Sequence, residues 1–467
     1  MTAQQFEAQG GVATADPSAI RRWLTSQLIS WIVSDKRLLA QRAKVERQRT
    51  RNRAPHVLEY FHQVDDGYSH LAAQLLKPLL LRYDVDLRCH LVSGPKGGNV
   101  VEPDLLARLS YYDAEKIAPH YGLEFPGTNV QPTSCQIETA SGILAAQDNS
   151  NFIERAALVG SALWLGDDAA LQKMANTYGS ATGEQLAASV ASGNARREAL
   201  NHYSGAMFYY GREWYWGVDR LYHLEQRLIE LGATRITTNE APNSASPTTL
   251  LAPRPALEPG RLKDNASLTL EIYPSLRSPY TAIAFDRTVS LARDTGVSLV
   301  VRPVLPMVMR GVPVTRQKGL YIFRDAAREA QAAGVPFGNF YDPIGEPAKR
   351  CYALYPWACE QNRGIELLSS FLRAAFVDGT NTNNDSGLQK VVEGAGLNWP
   401  AAQQQLGNSD WEALLEQNRL AMYEAGLWGV PSFRLLDKQG KQALAVWGQD
   451  RLWLVAREIQ CLLDTQE

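Results

Sequence analysis

Residues 275–284 read "SLRSPYTAIA", and the reading of this stretch decides the fold. It follows the apolar run 268–273, so its order is strand, turn, helix start. Pro279 suits a first helical turn, where its missing N–H costs nothing. Ser278 before it is a favoured N-cap. The same geometry aims backbone N–H groups and the positive helix end at whatever lies beside Ser278, which stabilises an anion, a thiolate included. Ser278 is therefore either a plain cap or a hydroxyl that donates to a bound sulfur.

Outward from this stretch the pattern is mixed. The strand "SLTLEIY" leads into the helix "YTAIAFDRTVSLARDTG" and a second strand, "VSLVVRPVL". A mostly helical middle follows at about 345–425, then the strand pair "PSFRLLDKQGKQALAVWG" and the helix "DRLWLVAREIQCLL". This order predicts a mixed central sheet with helices on its faces and a helical insertion.

The same pattern occurs earlier in the chain. Leu58-Glu59 matches Leu270-Glu271 at an offset of 212, which also brings Tyr68 onto Tyr280, Asp113 onto Asp325, Gly122 onto Gly334 and Phe125 onto Phe337. Further on, "LQKMANTYG" matches "LQKVVEGAG" and "WGVDRL" matches "WGQDRL". Matches that keep their order indicate two homologous domains, 56–236 and 266–467. Between them, 237–265 is rich in Pro, Ser, Thr and Ala, which predicts an extended linker. Ahead of them, 1–55 holds Ile20, Trp23, Leu24, Leu28, Trp31 and Ile32 at helical spacing, which predicts an amphipathic helix packed on the body with a solvated basic far side, the alternative being attachment to a membrane surface or nucleic acid.

Composition narrows the function classes. The 467 residues are 45% hydrophobic and 21% charged, with a net charge of −2, so no global field draws nucleic acid or membrane. The charge is uneven: residues 17–53 carry ten Lys and Arg against Asp35 and Glu46, net +8, which leaves −10 for the rest. The start lacks a basic n-region and an apolar h-region, and no apolar run is long enough to span a bilayer. Five unpatterned cysteines without a CxxC fit a reducing cytoplasm.

Two further stretches of the second domain carry chemistry. In "GVPSF" (429–433), a proline at a strand start outside the ladder is often cis, and Val430 before it presents backbone groups to an extended peptide-like ligand. In "WGQDRL", Gln449 and Asp450 open the last helix, where N–H donors meet a carboxylate and Asp450 an ammonium.

With Ser278-Pro279-Tyr280, Arg302-Pro303, Lys318-x-x-Tyr321-x-x-x-Asp325-x-x-Arg328, Gly429-Val430-Pro431 and Gly448-x-Asp450-Arg451 in order, the second domain resembles the DsbA-like thioredoxin superfamily. It resembles in particular the branch of 2-hydroxychromene-2-carboxylate isomerases and kappa-class glutathione transferases. The resemblance implies two tandem α/β thioredoxin-like domains and a glutathione site in the second. Ser278 would hold the glutathione sulfur, Val430 beside Pro431 the cysteinyl backbone, and Gln449 with Asp450 the γ-glutamyl end. Tyr280, Lys318 and Asp325 would face a small-molecule substrate. Two departures are Pro274, where the branch often has aspartate, and Thr281 at the second small position.

The first domain lacks these features. Asp66-Gly67 stands at Ser278-Pro279, and "SGAMFYY" replaces the proline loop, with Met207 near Pro431's place. Asp66 reads as an N-cap that would repel a thiolate, and the domain as a pseudo-partner in an intramolecular pseudo-dimer. His62, Asp65, Asp66 and His70 read as caps and packing rather than metal ligands, so no metal is expected. Cys351 and Cys359 share a predicted helix two turns apart, too distant for a disulfide. The functional expectation is a cytoplasmic glutathione-dependent isomerase or transferase for a small aromatic or electrophilic molecule, with no nucleic-acid partner. The alternative is a non-catalytic thioredoxin-fold binding or assembly protein, or another DsbA-family oxidoreductase-like protein lacking the CxxC.

Overall fold

Apolar and aromatic side chains crowd the run Val57–Gln63, which forms β1 and is buried from 58 to 62. A strand so buried needs helical cover. It pairs in parallel with β2 (Asp86–Val92) and antiparallel with β3 (Met207–Tyr210), which turns back into β4 (Glu213–Trp216). The later half repeats this with β5 (Thr269–Tyr273), β6 (Ser298–Val301), β7 (Ser432–Leu436) and β8 (Gln442–Trp447). The computed structural model describes residues 16–128, 130–235, 249–312 and 314–464. Among these, the strands form two four-stranded sheets, ordered β2-β1-β3-β4 and β6-β5-β7-β8. Each has one parallel pair followed by two antiparallel pairs. The mixed sheet expected from the sequence is thus present twice.

The chain divides into two compact units. The first-sheet unit holds Ala40–Lys96 and Leu106–Pro255. The second-sheet unit holds the chain up to Leu39, Gly97–Leu105 and the chain from Ala256 onward. Helices Asn149–Leu165 and Gly183–Ala199 pack on β2, and Leu452–Asp464 packs on β7 and β8. The helical middle is Glu346–Glu360, Gly364–Phe376, Asp385–Gly394, Trp399–Gln403 and Asp410–Glu424. Cys351 and Cys359 share the first of these, and both are free.

Each sheet buries a glutamate at the matched position, and each glutamate is neutralised. Glu59 accepts from Arg196 Nε and Nη2 at 2.7 and 2.6 Å and lies 2.9 Å from His90 Nε2. Glu271 accepts from Arg302 Nε at 2.7 Å and from the Tyr273 hydroxyl at 2.8 Å. A buried carboxylate without such partners would cost several kcal/mol. A second matched pair ties helix to helix. Tyr68 donates to Asp113 Oδ2 and Tyr280 donates to Asp325 Oδ2, each at 2.7 Å. Gly122 and Gly334 close matched helical segments at φ 64° and 66°, a region L side chains avoid.

Of the linker, 236–248 lies outside the described residues. Its described part is tied down: Leu251 and Ala252 N–H donate to the Glu225 carboxylate, and Gln460 binds Leu262 and Pro259. One expectation changes. The amphipathic segment is two helices, Ala19–Val33 and Asp35–Arg51, broken at Ser34. Its apolar face is not the packed one. Arg22, Ser26, Ser30 and Val33 face the body, whereas Ile20, Trp23, Leu24, Leu28 and Trp31 are exposed. The reason is a polar ladder. Arg22 Nη1 donates to the carbonyls of Asp342 and Ile344 at 2.6 Å. Ser26 Oγ accepts from Asp342 N–H at 3.0 Å and Ser30 Oγ from Phe340 N–H at 2.8 Å. An extended segment with unpaired backbone groups binds more strongly to this face than to an apolar one.

Burial pushes Glu59 up, but the hydrogen bonds from Arg196 and His90 outweigh it and hold the carboxyl at about 2, below the ordinary 4.5. A depressed folded-state pKa gives stability that is full above about pH 4.5 and is lost as pH falls towards 2. Glu59→Gln is expected to flatten the acid limb of denaturation midpoints between those values, leaving the limb above pH 5 parallel to wild type, as read by urea titration at a series of pH values.

Candidate functional site

Ser278 ends the turn after β5 and caps the helix Pro279–Thr295, with Pro279 at its first position. Its backbone is extended (φ −89°, ψ 117°), which lets Oγ fold back to accept from Thr281 N–H at 3.1 Å. The hydroxyl proton points elsewhere, to the Val430 carbonyl at 3.4 Å. Thr281 is fully buried, and its Oγ1 accepts from Ser275 N–H at 3.3 Å, closing the turn from beneath.

The opposite wall is the loop before β7. The Val430–Pro431 peptide is cis. The β7 ladder starts at Ser432, so Val430 stands outside it. The loop is pinned on both sides: Ser432 Oγ donates to the Gly429 carbonyl at 2.7 Å, and Gly448 N–H to the Pro431 carbonyl at 3.0 Å. The Trp447 indole lies over Gly429, where a Cβ would sit 2.4 Å from Nε1, so only glycine fits. Ser278, Val430 and Trp447 remain half-buried.

The other sequence candidates divide. Asp450 is half-buried at the short helical turn Gln449–Arg451, beside Arg451 at 3.8 Å. Gln449 is buried and committed elsewhere, donating to Glu329 Oε2 at 2.8 Å and accepting from Arg287 Nη1 at 3.2 Å. Its amide holds the turn in place. Tyr280 and Asp325 bind each other, and Arg328 Nη2 donates to Asp325 Oδ1 at 3.0 Å. Because the first sheet's Tyr68–Asp113 pair does the same without a Ser-Pro turn, this is a helix clamp. Lys318 sits on the helix Arg316–Ala333, and burial pushes its ammonium down to about 8. Its Nζ lies 3.4 Å from the Asn99 carbonyl, and Thr315 Oγ1 donates to Asn99 Oδ1 at 2.6 Å.

Sequence reading missed two features here. Arg277, next to Ser278, is turned onto Asp342 in a two-pronged ion pair at 2.9 and 3.2 Å, so its charge does not face the serine. The Asn99 contact joins residues 216 and 219 positions apart, which no local pattern reveals.

The matched place in the first-sheet unit is differently built. Asp66 Oδ2 accepts from Ser69 N–H at 3.0 Å and from Ser69 Oγ at 2.8 Å, and burial raises its carboxyl to about 6. Phe61 pairs with Met207 where Tyr273 pairs with Ser432, and Gly217 N–H donates to the Ala206 carbonyl as Gly448 does to Pro431. Ala206, at φ 52°, therefore stands in Pro431's place, one residue before the Met207 expected from the sequence. His62 and His70 are buried and pushed down to about 3 and 4, by desolvation above all. Among the described residues no group of three or more His, Cys, Asp or Glu is arranged to hold a metal ion.

Residues 269–460 match the DSBA-like thioredoxin domain family. Solved structures similar to the chain include a 2-hydroxychromene-2-carboxylate isomerase at 21% identity, covering 42% of this chain and 97% of that one, with a TM-score of 0.35. A probable DsbA oxidoreductase from Streptomyces coelicolor is 20% identical, with coverages of 42% and 89% and a TM-score of 0.33. The cytosolic disulfide reductase DsbM from Pseudomonas aeruginosa, solved with GSH, is 20% identical, with coverages of 42% and 98% and a TM-score of 0.33. The comparison with curated proteins gave no match.

Ser278→Ala removes the cap and is expected to lower stability by about 1 kcal/mol in urea denaturation. Ser278→Asp, which supplies an equally good cap, is expected to stay within a few tenths of wild type.

Proposed function

We propose that the DSBA-like thioredoxin domain at residues 269–460 is a glutathione-dependent isomerase or transferase of the 2-hydroxychromene-2-carboxylate isomerase type, acting on a small aromatic or electrophilic molecule. The observation that carries this reading is the juxtaposition of Ser278 Oγ and the Val430 carbonyl, 3.4 Å apart, at the N-terminus of a 17-residue helix. A hydroxyl held by so long a bond is free to turn to a better acceptor, and a thiolate at a helix N-terminus is one. Val430, outside the ladder beside a cis proline, offers its backbone to the cysteinyl unit of a peptide-like thiol.

Bound glutathione would supply a thiolate nucleophile that adds reversibly to a conjugated double bond of the substrate and frees rotation about it. The chain's part is to lower the thiol pKa, through the Ser278 hydroxyl and the helix end, and to orient the sulfur. Asp450 is the group for the γ-glutamyl ammonium. Gln449 acts one step back, fixing the turn through Glu329 and Arg287. Lys318 is the cation for a developing oxyanion on the substrate, protonated below about pH 8.

Disulfide exchange is disfavoured because residue 278 is serine. Of the free cysteines, Cys351 is fully buried, with its thiol pushed far up by desolvation. The first-sheet unit, with Asp66 where a thiolate would sit, serves as a structural partner domain.

Calorimetric titration with reduced glutathione tests the reading. Wild type is expected to bind at millimolar ligand, and Ser278→Ala to bind about tenfold or more weakly. Ser278→Asp, equally stable, is expected not to bind because its charge opposes the thiolate. No heat with wild type would favour a non-catalytic binding protein. The rate is expected to fall as pH rises through about 8, where Lys318 loses its proton, and Lys318→Met to remove that limb.

A further inference from the structure

The helix Ala19–Val33 turns its apolar stripe outward. Ile20, Trp23, Leu24, Leu28 and Trp31 are between 48% and 74% exposed, all on one side at helical spacing. Scattered exposed hydrophobics need no explanation, but five large ones on a single helix face do. The helix cannot roll to hide them. Its opposite face is fixed by the Arg22, Ser26 and Ser30 hydrogen bonds to the segment 340–344, and Arg22 and Ser26 are fully buried.

The surroundings are cationic. The helix contains no acid, and Arg21 on it is exposed, as is Lys36 in the first turn of the next helix. The Arg37 guanidinium lies over the Trp31 ring at 3.6 Å, placing a cation at the edge of the apolar face. These groups belong to the stretch 17–39 of the same unit, where Arg21, Arg22, Lys36 and Arg37 stand against Asp35, net +3 in a chain that is net −2 overall. A symmetric second copy would bring like charges together around the stripe. An anionic surface would be attracted to them.

We propose that this face binds the interface of an anionic lipid bilayer, with the helix lying in the membrane plane. Trp23 and Trp31 are eight residues apart, about 12 Å along the axis, and enter side by side at the level of the headgroups. Leu24 and Leu28 reach the acyl boundary, and Arg21, Lys36 and Arg37 meet lipid phosphates. No helix among the described residues is long and apolar enough to cross a membrane, so attachment is peripheral and reversible.

Flotation of the full-length protein with phosphatidylglycerol-rich vesicles, against vesicles of phosphatidylcholine alone, tests this. Co-flotation with the anionic vesicles is expected, with a blue shift in tryptophan emission and weakening at high salt. The combined variant Trp23→Ser, Leu24→Ser, Leu28→Ser, Trp31→Ser is expected to lose tenfold or more of the partitioning, and Arg21→Glu with Lys36→Glu a roughly similar factor. All these residues are exposed, so far-UV circular dichroism and Tm should match wild type; the charge pair and the wild-type emission shift give readouts that do not depend on the apolar variant. Absence of flotation with anionic vesicles overturns the proposal. So does flotation that survives the apolar substitutions. Sedimentation showing a dimer lost in the apolar variant, without vesicle binding, assigns the face to a second copy instead.

Discussion

A single hydroxyl joins the start of a long helix to the carbonyl of a residue 152 positions later. Ser278 caps the helix Pro279–Thr295 with its oxygen and points its proton at Val430. The rest of the site is arranged to keep those two points together. Thr281 and Ser275 fix the turn below the serine, while Ser432 and Gly448 fix the loop around Pro431. Gly429 leaves room for the Trp447 indole, and Gln449 braces the turn beyond it. The Ser278 to Val430 contact is the weakest of these bonds at 3.4 Å, which suits a place where a ligand atom enters between donor and acceptor.

The first sheet supplies an internal control. Its strand order and directions, its neutralised buried glutamate and its Tyr–Asp helix clamp match the second. The two units differ, among other positions, in Asp66 for Ser278, Gly67 for Pro279 and Ala206 for Pro431. Features present in both units hold the fold. Features present only in the second are the ones for which a function has to be sought.

What was legible in the sequence was local. Serine before proline marks an N-cap because both residues act on the first helical turn alone, and Gly-Val-Pro marks a loop outside the ladder for a similar reason. The offset of 212 aligned Tyr280 with Tyr68 because the matched stretch contains no insertion. Past the insertions, register was needed to replace Met207 by Ala206. The N-terminal helix was misread because periodicity reports where apolar residues cluster, not what they face. There, backbone groups at 340–344 recruited the polar face of the helix instead. Gln449 and Lys318 were identified by motif, but their partners Glu329 and Asn99 are more than a hundred residues away in sequence. No local pattern carries such contacts.

The most direct measurement is a crystal structure of the full chain grown with reduced glutathione. The expected result is glutathione sulfur within hydrogen-bond distance of Ser278 Oγ, the cysteinyl backbone paired with Val430, and nothing bound beside Asp66. Glutathione elsewhere in the molecule, or a Ser278 hydroxyl still on the Val430 carbonyl at saturating ligand, would contradict the assignment of this turn as a thiol site.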